Sequence, residues 1–443
     1  MMEKKRAQEI IKQTLAWSKA DEAQVSVSER ASANLRFARN TASTTGAETG
    51  PSLTVTSVFG KQAGAVSVNQ LDEATLKDAV ARSEEIARLA PEDPERMPLL
   101  GQQEQQAVAA WDDATASEGP ERMAAGAASV IAAAKGKDLV AAGFTRTMAR
   151  AEALGNSKGL FAYHRGTAAS FSTTVRTPDG SGSGWAGRAA RAISDIDYAG
   201  AAAIAVDKAV ASRAPRKLEP GNYPTILEPA CVADLLELLV SGMDQRLADE
   251  GRSFFAAPKG GSRLGEKLFG KQIDIRSDPG DRDVPARPWS GEGLPHKPRH
   301  WIEAGKVTTL SCDRFWAAKK KVEPVAPAPN YIMAGGKGTL ADLIKSTRRG
   351  VLVTSFWYIR DLDPQTMLST GLTRDGVFWI ENGAIAYPVN NFRWNDSPVA
   401  VLKKVEAMTA SQRLPSRGSE TPMTVVPAIR VSAFGFASIS DAV

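Results

Sequence analysis

The chain has only two cysteines, Cys231 and Cys312, in 443 residues. They lie far apart and form no C-x-x-C pair, which excludes a disulfide framework and a cysteine-built zinc site. Histidine is nearly as scarce: His164, His296 and His300 are the full set. No apolar run approaches the roughly 20 residues that a bilayer-crossing helix needs. The opening stretch, Met1 to Lys19, is charged and amphipathic and lacks the apolar centre of a signal peptide. A strong charge of one sign is missing too. The net charge is +5, and Lys and Arg are interleaved with Asp and Glu, so a solvated surface is expected, with no nucleic-acid and no membrane partner. Together these absences point to a cytoplasmic, reduced setting.

What is present is ordinary globular material. Apolar residues make up 43% and charged residues 24% of the chain, and the length calls for two or three domains. Ala7, Ile10, Ile11 and Leu15 recur at helical spacing near the start. Extended segments follow at 24–28 and 33–39, then a hairpin with arms at 52–58 and 61–68 turning at Phe59-Gly60. Leu76, Val80, Ser83, Ile86 and Ala90 line one face of a helix that Pro91 stops. An Ala-rich helix at 118–135, strands at 139–148, 159–164 and 168–176, and a second Ala-rich helix at 198–212 complete the first half. The basic, proline-containing stretch from Arg213 to Pro220 marks a domain boundary, giving domains at 1–215 and 216–443.

The second half opens with a strand at 223–227 and a helix with Pro229 near its first position. Val232, Leu235, Leu236, Leu239, Val240 and Met243 form its apolar stripe. Prolines then punctuate 285–298 and 324–329. A long apolar strand at 350–360 precedes strands at 377–380 and 384–387, which flank Asn382-Gly383, the strongest hairpin signal of the chain. Ser397-Pro398 predicts a helix running to about Thr409, and a last strand is expected near 428–431.

Several runs, in this order, resemble the TldD/PmbA metalloprotease family, also called the modulator of DNA gyrase family. They are Asp21 to Val27, Gly60 to Ala65 with the helix behind it, and Ser290-Gly291-Glu292-Gly293 before Trp301 to Gly305. The most specific are Thr370 to Gly376, Ile380 to Gly383, and Val389 to Pro398. The resemblance covers essentially the whole chain. It implies an α+β fold, with an N-terminal α/β domain of antiparallel strands and helices and a C-terminal strand-rich domain, barrel- or sandwich-like. It also implies a two-subunit cytoplasmic peptidase acting on unfolded peptides or peptide precursors, in which one subunit carries zinc and its partner does not. The gyrase label implies no DNA contact.

One departure decides the expected role. The zinc subunit of such a pair holds its metal through H-E-x-x-x-H on the first helix of the second domain, with a cysteine near the C-terminus as third ligand. Two imidazoles hold the zinc, and the carboxylate takes a proton from the metal-bound water that attacks the peptide carbonyl. Here that helix, Pro229 to Met243, contains no histidine. Its Glu237 sits among Leu235, Leu236, Leu238 and Leu239, and no cysteine follows Cys312. No catalytic residue and no metal ligand is therefore expected in this chain, and zinc is expected only in a TldD-like partner subunit.

Other constellations are weaker. His296 and His300 have the spacing of two ligands on one helix face, but Pro298 lies between them and would start a helix that leaves His296 outside. His164, in an alternating segment, reads as structural or exposed. Gly335-Gly336-Lys337-Gly338-Thr339 lacks phosphate-loop spacing, and Lys319-Lys320-Lys321 reads as a solvated run. Cys312 beside Asp313, with His300 upstream, is the basis of an alternative: a self-sufficient amide hydrolase. A homodimeric peptide-binding protein is another. Arg374, Asp375, Asn391, Arg393 and Asn395, set among Phe378, Trp379, Phe392 and Trp394, are candidates for lining a channel or a subunit interface, against the plainer reading that they fix the loop backbone.

Overall fold

The computed structural model of the chain describes residues 1–415 and 424–441. The first half contains α1 (Lys4–Trp17), β1 (Glu22–Ala38), β2 (Thr41–Phe59), β3 (Gln62–Val68), α2 (Glu73–Leu89), α3 (Asp113–Ala116), α4 (Pro120–Lys135), β4 (Val140–Asn156), β5 (Phe161–Arg176), β6 (Ser183–Ala190) and α5 (Tyr198–Ala211). The strands form one antiparallel sheet in the order β3-β2-β1-β4-β5-β6. β1 is a single long strand where the sequence predicts two segments. Pairing with β2 on one edge and β4 on the other holds its polar middle, Glu29 to Ser32, extended. β5 likewise bridges the gap expected between 164 and 168 because it pairs with β4 throughout.

Side chains alternate across a sheet, so each face has its own inventory. One face takes the helices. Ile10 and Ile11 of α1 and Leu76 and Val80 of α2 pack on Val25, Val27, Leu53 and Val55. Met123 and Val130 of α4 and Ala201 and Ala205 of α5 pack on Leu35, Phe37, Ala169 and Phe171. Asp72 and Asp197 cap α2 and α5 by accepting from the backbone N–H groups of Thr75 and Gly200. The opposite face of β4 and β5 carries Met148, Arg150 and Glu152 beside Ala168, Gly166 and His164 in register, and it meets the second half of the chain.

That half contains β7 (Gly221–Leu227), α6 (Pro229–Ser241), α7 (Gln245–Asp249), β8 (Ile275–Ser277), β9 (Arg299–Glu303), β10 (Lys306–Val307), α8 (Arg314–Lys320), β11 (Tyr331–Met333), α9 (Leu340–Lys345), β12 (Arg349–Asp363), β13 (Leu368–Glu381), β14 (Ala384–Pro388), β15 (Asn391–Asp396), α10 (Pro398–Lys403), β16 (Val405–Met408), β17 (Gln412–Leu414), β18 (Thr424–Val426) and β19 (Ile429–Ser440). Five strands close into a barrel, β12-β7-β19-β15-β13, because β12 also pairs with β13. Phe356, Phe392, Trp394, Phe434 and Phe436 fill it, with ring centroids 4.7 Å apart for Phe356–Trp394 and for Phe392–Phe436. A second sheet runs β10-β9-β8-β11-β18-β17. The architecture is α+β, with an antiparallel sheet and its helices followed by a strand-rich barrel region.

Two local expectations fail. The helix after Ser397-Pro398 ends at Lys403, because Val405 leaves it to pair with Val431. Pro298 starts no helix: the residues after it form β9, which pairs with β8. The closing strand is also far longer than 428–431, since β19 must span the barrel against both β7 and β15.

Candidate functional site

The helix that a zinc motif would occupy is α6. Pro229 starts it, and the backbone after Gly242 turns away toward α7. Leu235, Leu236 and Leu239 are buried in the main core of the second half. The outer face presents Ala233, Asp234 and Glu237 to Trp185 of β6 and to Leu414, Pro415 and Thr424. That gap holds only about 10 Å³, about the room of one water. Zinc takes imidazole, thiolate and carboxylate ligands in tetrahedral array. α6 offers no imidazole, and its one thiol, Cys231, is fully buried, 3.6 Å from the Val353 carbonyl oxygen. Among the described residues no three His, Cys, Asp or Glu side chains are placed to share an ion. The residues of α6 do not fit the metal.

The Cys312 alternative fares no better. Burial, together with the nearby carboxylates of Asp313, Asp244 and Asp249, pushes its thiol up to about 11, the reverse of an activated nucleophile. Asp313 caps α8 by accepting from the Trp316 N–H at 2.7 Å. The His300 ring turns to Asp274, 3.1 Å from its carboxylate oxygen. The three residues make no catalytic set.

Two of three neighbouring cavities lie at the seam between the two halves. One cavity of about 500 Å³ has the polar face of β4 and β5 as its floor. Its roof is the 284–296 segment and the proline strap at Pro327 to Pro329. Past Pro327 and Ala328 lies a second cavity of about 440 Å³, which reaches Val240, Met243 and Asp244 at the end of α6. A third, of about 420 Å³, adjoins the first at His296 and Pro329. In the first cavity, Glu152 forms an ion pair with Arg150 (3.0 Å) and accepts a hydrogen bond from Arg287 (3.1 Å) on the opposite wall. His164 lies edge-on to Trp289, centroids 6.1 Å apart. Burial holds His164 and His296 at about 4, so both imidazoles are neutral at pH 7. Sequence reasoning passed over this cluster. The only signal was the alternation Met148-x-Arg150-x-Glu152 in a strand, which gives no hint of what covers it.

The five polar residues expected at a channel or interface are split up. Asp375 is buried at the seam, in a left-handed backbone conformation (φ 58°), and accepts from Ser183 Oγ of β6 at 2.8 Å. Arg374 stacks over exposed Trp357 at 4.6 Å. Asn391, Arg393 and Asn395 alternate with the barrel-filling Phe392 and Trp394, so they sit on the barrel's outer wall. There Asn391 accepts from Thr373 Oγ1 and Arg393 donates to Thr370 Oγ1. None of the five lines these three cavities.

Residues 220–438 match the family model of the PmbA/TldA metallopeptidase C-terminal domain, and residues 111–213 that of the PmbA/TldA metallopeptidase central domain. No curated protein sequence matches. Among solved structures, TldE from Thermococcus kodakarensis is similar with a TM-score of 0.86 at 18% identity, over 97% of this chain and 99% of that one. A candidate modulator of a DNA gyrase from Thermotoga maritima gives 0.85 at 17%, over 97% and 100%. One from Bacteroides thetaiotaomicron gives 0.85 at 17%, over 99% and 100%. At these identities the structures share the fold. Among the described residues no helix is long and apolar enough to cross a membrane.

Proposed function

The chain belongs to the TldD/PmbA metallopeptidase family, and from that membership we propose that it is the zinc-less subunit of a two-subunit cytoplasmic peptidase that acts on unfolded peptides or peptide precursors. One observation supports the reading: on α6, a motif around Glu237 would put one ligand at Leu236, packed into the core, and the other at Ser241, exposed to solvent. The zinc, the activated water and the general base then come from a partner with H-E-x-x-x-H. This chain's share is the chamber wall and the contacts that hold an extended peptide, for which strand addition needs no sequence preference.

The test is metal content and peptide cleavage, measured on the chain alone and co-expressed with such a partner. Zinc and cleavage are expected only in the co-expressed complex. Robust cleavage by the isolated, metal-free chain would refute the subunit role.

The surface we assign to the partner is the outer part of β12. Trp357, Tyr358 and Leu362 are 48%, 55% and 53% exposed, and pairing with β7 covers only Val351 to Val353. Exposed aromatics along a strand edge favour a protein partner over solvent. Replacing Trp357 and Tyr358 together by Ala is expected to weaken association with the zinc subunit at least about thirtyfold, since a single aromatic anchor of this kind carries roughly 2 kcal/mol or more. Titration of labelled partner checks it, and unchanged affinity would move the interface elsewhere.

A further inference from the structure

The seam cavity between β4–β5 and the 284–296 segment has no part in the reading above, yet its walls are specialised. Its floor is three cross-strand pairs, Met148–Ala168, Arg150–Gly166 and Glu152–His164. Gly166 and Ala168 keep the β5 side low, which hollows the floor, and Arg150 stands opposite the glycine. From the second half come Arg287 and His296, with Pro285, Pro327 and Pro329 as apolar wall. Arg287 is fixed at two points: its Nε donates to the Trp289 carbonyl at 2.9 Å and its Nη1 to Glu152 at 3.1 Å.

The charges that face the cavity are two guanidiniums and one carboxylate, with His164 and His296 neutral. The balance is one positive charge, on a pair of planar forks that one carboxylate holds in place. Guanidinium forks recognise carboxylates by paired hydrogen bonds. A single positive charge suits a monoanion, and the proline and alanine walls suit an apolar body attached to it. A volume of about 500 Å³ lies within the range of small-ligand sites, roughly 300–1,000 Å³, and takes a few residues rather than a domain. A second cavity, also lined by Pro327 and Ala328, lies next to it and reaches the end of α6.

We propose that this cavity binds the C-terminal carboxylate of a short peptide with small apolar residues, Arg150 and Arg287 taking the carboxylate and the proline-lined wall taking the last side chains. The inference rests on the reading of the chain as a peptide-handling subunit and adds to it that chains are held by their C-terminal end.

The experiment is calorimetry on the purified full chain with N-acetyl-tetra-alanine as free acid and as C-terminal amide, at pH 7. Hydrogen bonds to a charged group are worth about 1.5–3 kcal/mol, so the acid is expected to bind at least about tenfold more tightly than the amide. Arg287→Gln should bring acid and amide to within about twofold. Because Arg287 also ties the 284–296 segment down, Arg150→Gln, whose side chain is 45% exposed, and Ala168→Phe, which fills the floor and keeps every charge, test the same site separately. Each should cost the acid most of its advantage.

Equal binding of acid and amide, no binding of the acid, or affinity untouched by all three variants would overturn the site. Hexanoate binding as tightly as the peptide acid would overturn the assignment to peptides. Cleavage by the co-expressed complex reads the subunit role independently. An active complex with no acid preference removes this site alone, and an inactive complex removes the subunit role alone.

Discussion

Replacing Leu236 by His and Ser241 by His, which writes H-E-x-x-x-H around Glu237, is expected to cost about 3–5 kcal/mol of stability and to leave the chain without stoichiometric zinc. Leu236 is 1% exposed and packs in the main core with Val232, Leu239 and Val353, so its loss alone falls in the range for large-to-small core changes. Putting an imidazole there adds the cost of a buried polar group without a partner. Ser241 is exposed and donates to the Leu238 carbonyl at 2.8 Å. Leu236 points into the core while Ser241 faces solvent, and the C-terminal cysteine that completes such a site is lacking, since no cysteine follows Cys312. Urea unfolding and metal analysis check both parts, and Leu236→Met, a volume-conserving control, should cost under about 1.5 kcal/mol. A double variant that folds like wild type and holds one zinc per chain would show that α6 keeps a usable metal geometry, and the zinc-less role would fall with it.

The same helix shows how far sequence alone reaches. The stripe from Val232 to Met243, with Pro229 at its start, predicts both the extent of α6 and the face it buries, because helix periodicity and end signals are local physics. Asn382 and Gly383, with φ of 54° and 80°, make the turn their types predict. The family resemblance rested on runs that became β13, the β13–β14 turn and β15 with the start of α10, parts of the barrel wall and its edge. What stayed hidden depends on distant partners. β1 and β5 are continuous only because strands flank them on both sides, and α10 is short only because Val431 captures Val405. The seam cavity is the extreme case. His164 reads as one polar residue in an alternating strand, and His296 as a loop histidine beside Pro298. Nothing local says that packing one half on the other places them in the lining of one cavity with Arg287.

That lining makes the fold acid-labile, and the expected loss is the second large effect. Burial lowers His164 to about 4, helped by Arg287 and opposed by Glu152. It lowers His296 to about 4 as well, again with Arg287 adding to it. In the unfolded chain both titrate near 6.5. Above pH 6.5 neither state binds these protons, so the pair has no effect on stability. Between 6.5 and 4 the unfolded chain takes up protons that the folded chain refuses, and stability falls as pH falls. At 1.36 kcal/mol per pK unit the ceiling is about 3 kcal/mol for each histidine. Both rings keep some contact with solvent, which lowers the total by pH 4.5 to about 3 kcal/mol for the pair. Carboxylates such as Asp72 and Asp112, held below their usual range by Thr75 and Thr115, add their own loss at lower pH. The measurement is therefore a difference: urea unfolding from pH 7 to 4.5 on wild type and on His164→Gln/His296→Gln. The variant should lose about 3 kcal/mol less than wild type over that span. Parallel pH profiles would mean that the imidazoles titrate as in water. The cavity would then be wetter than its proline walls make it, and the neutral pair facing Arg150 and Arg287 would not exist.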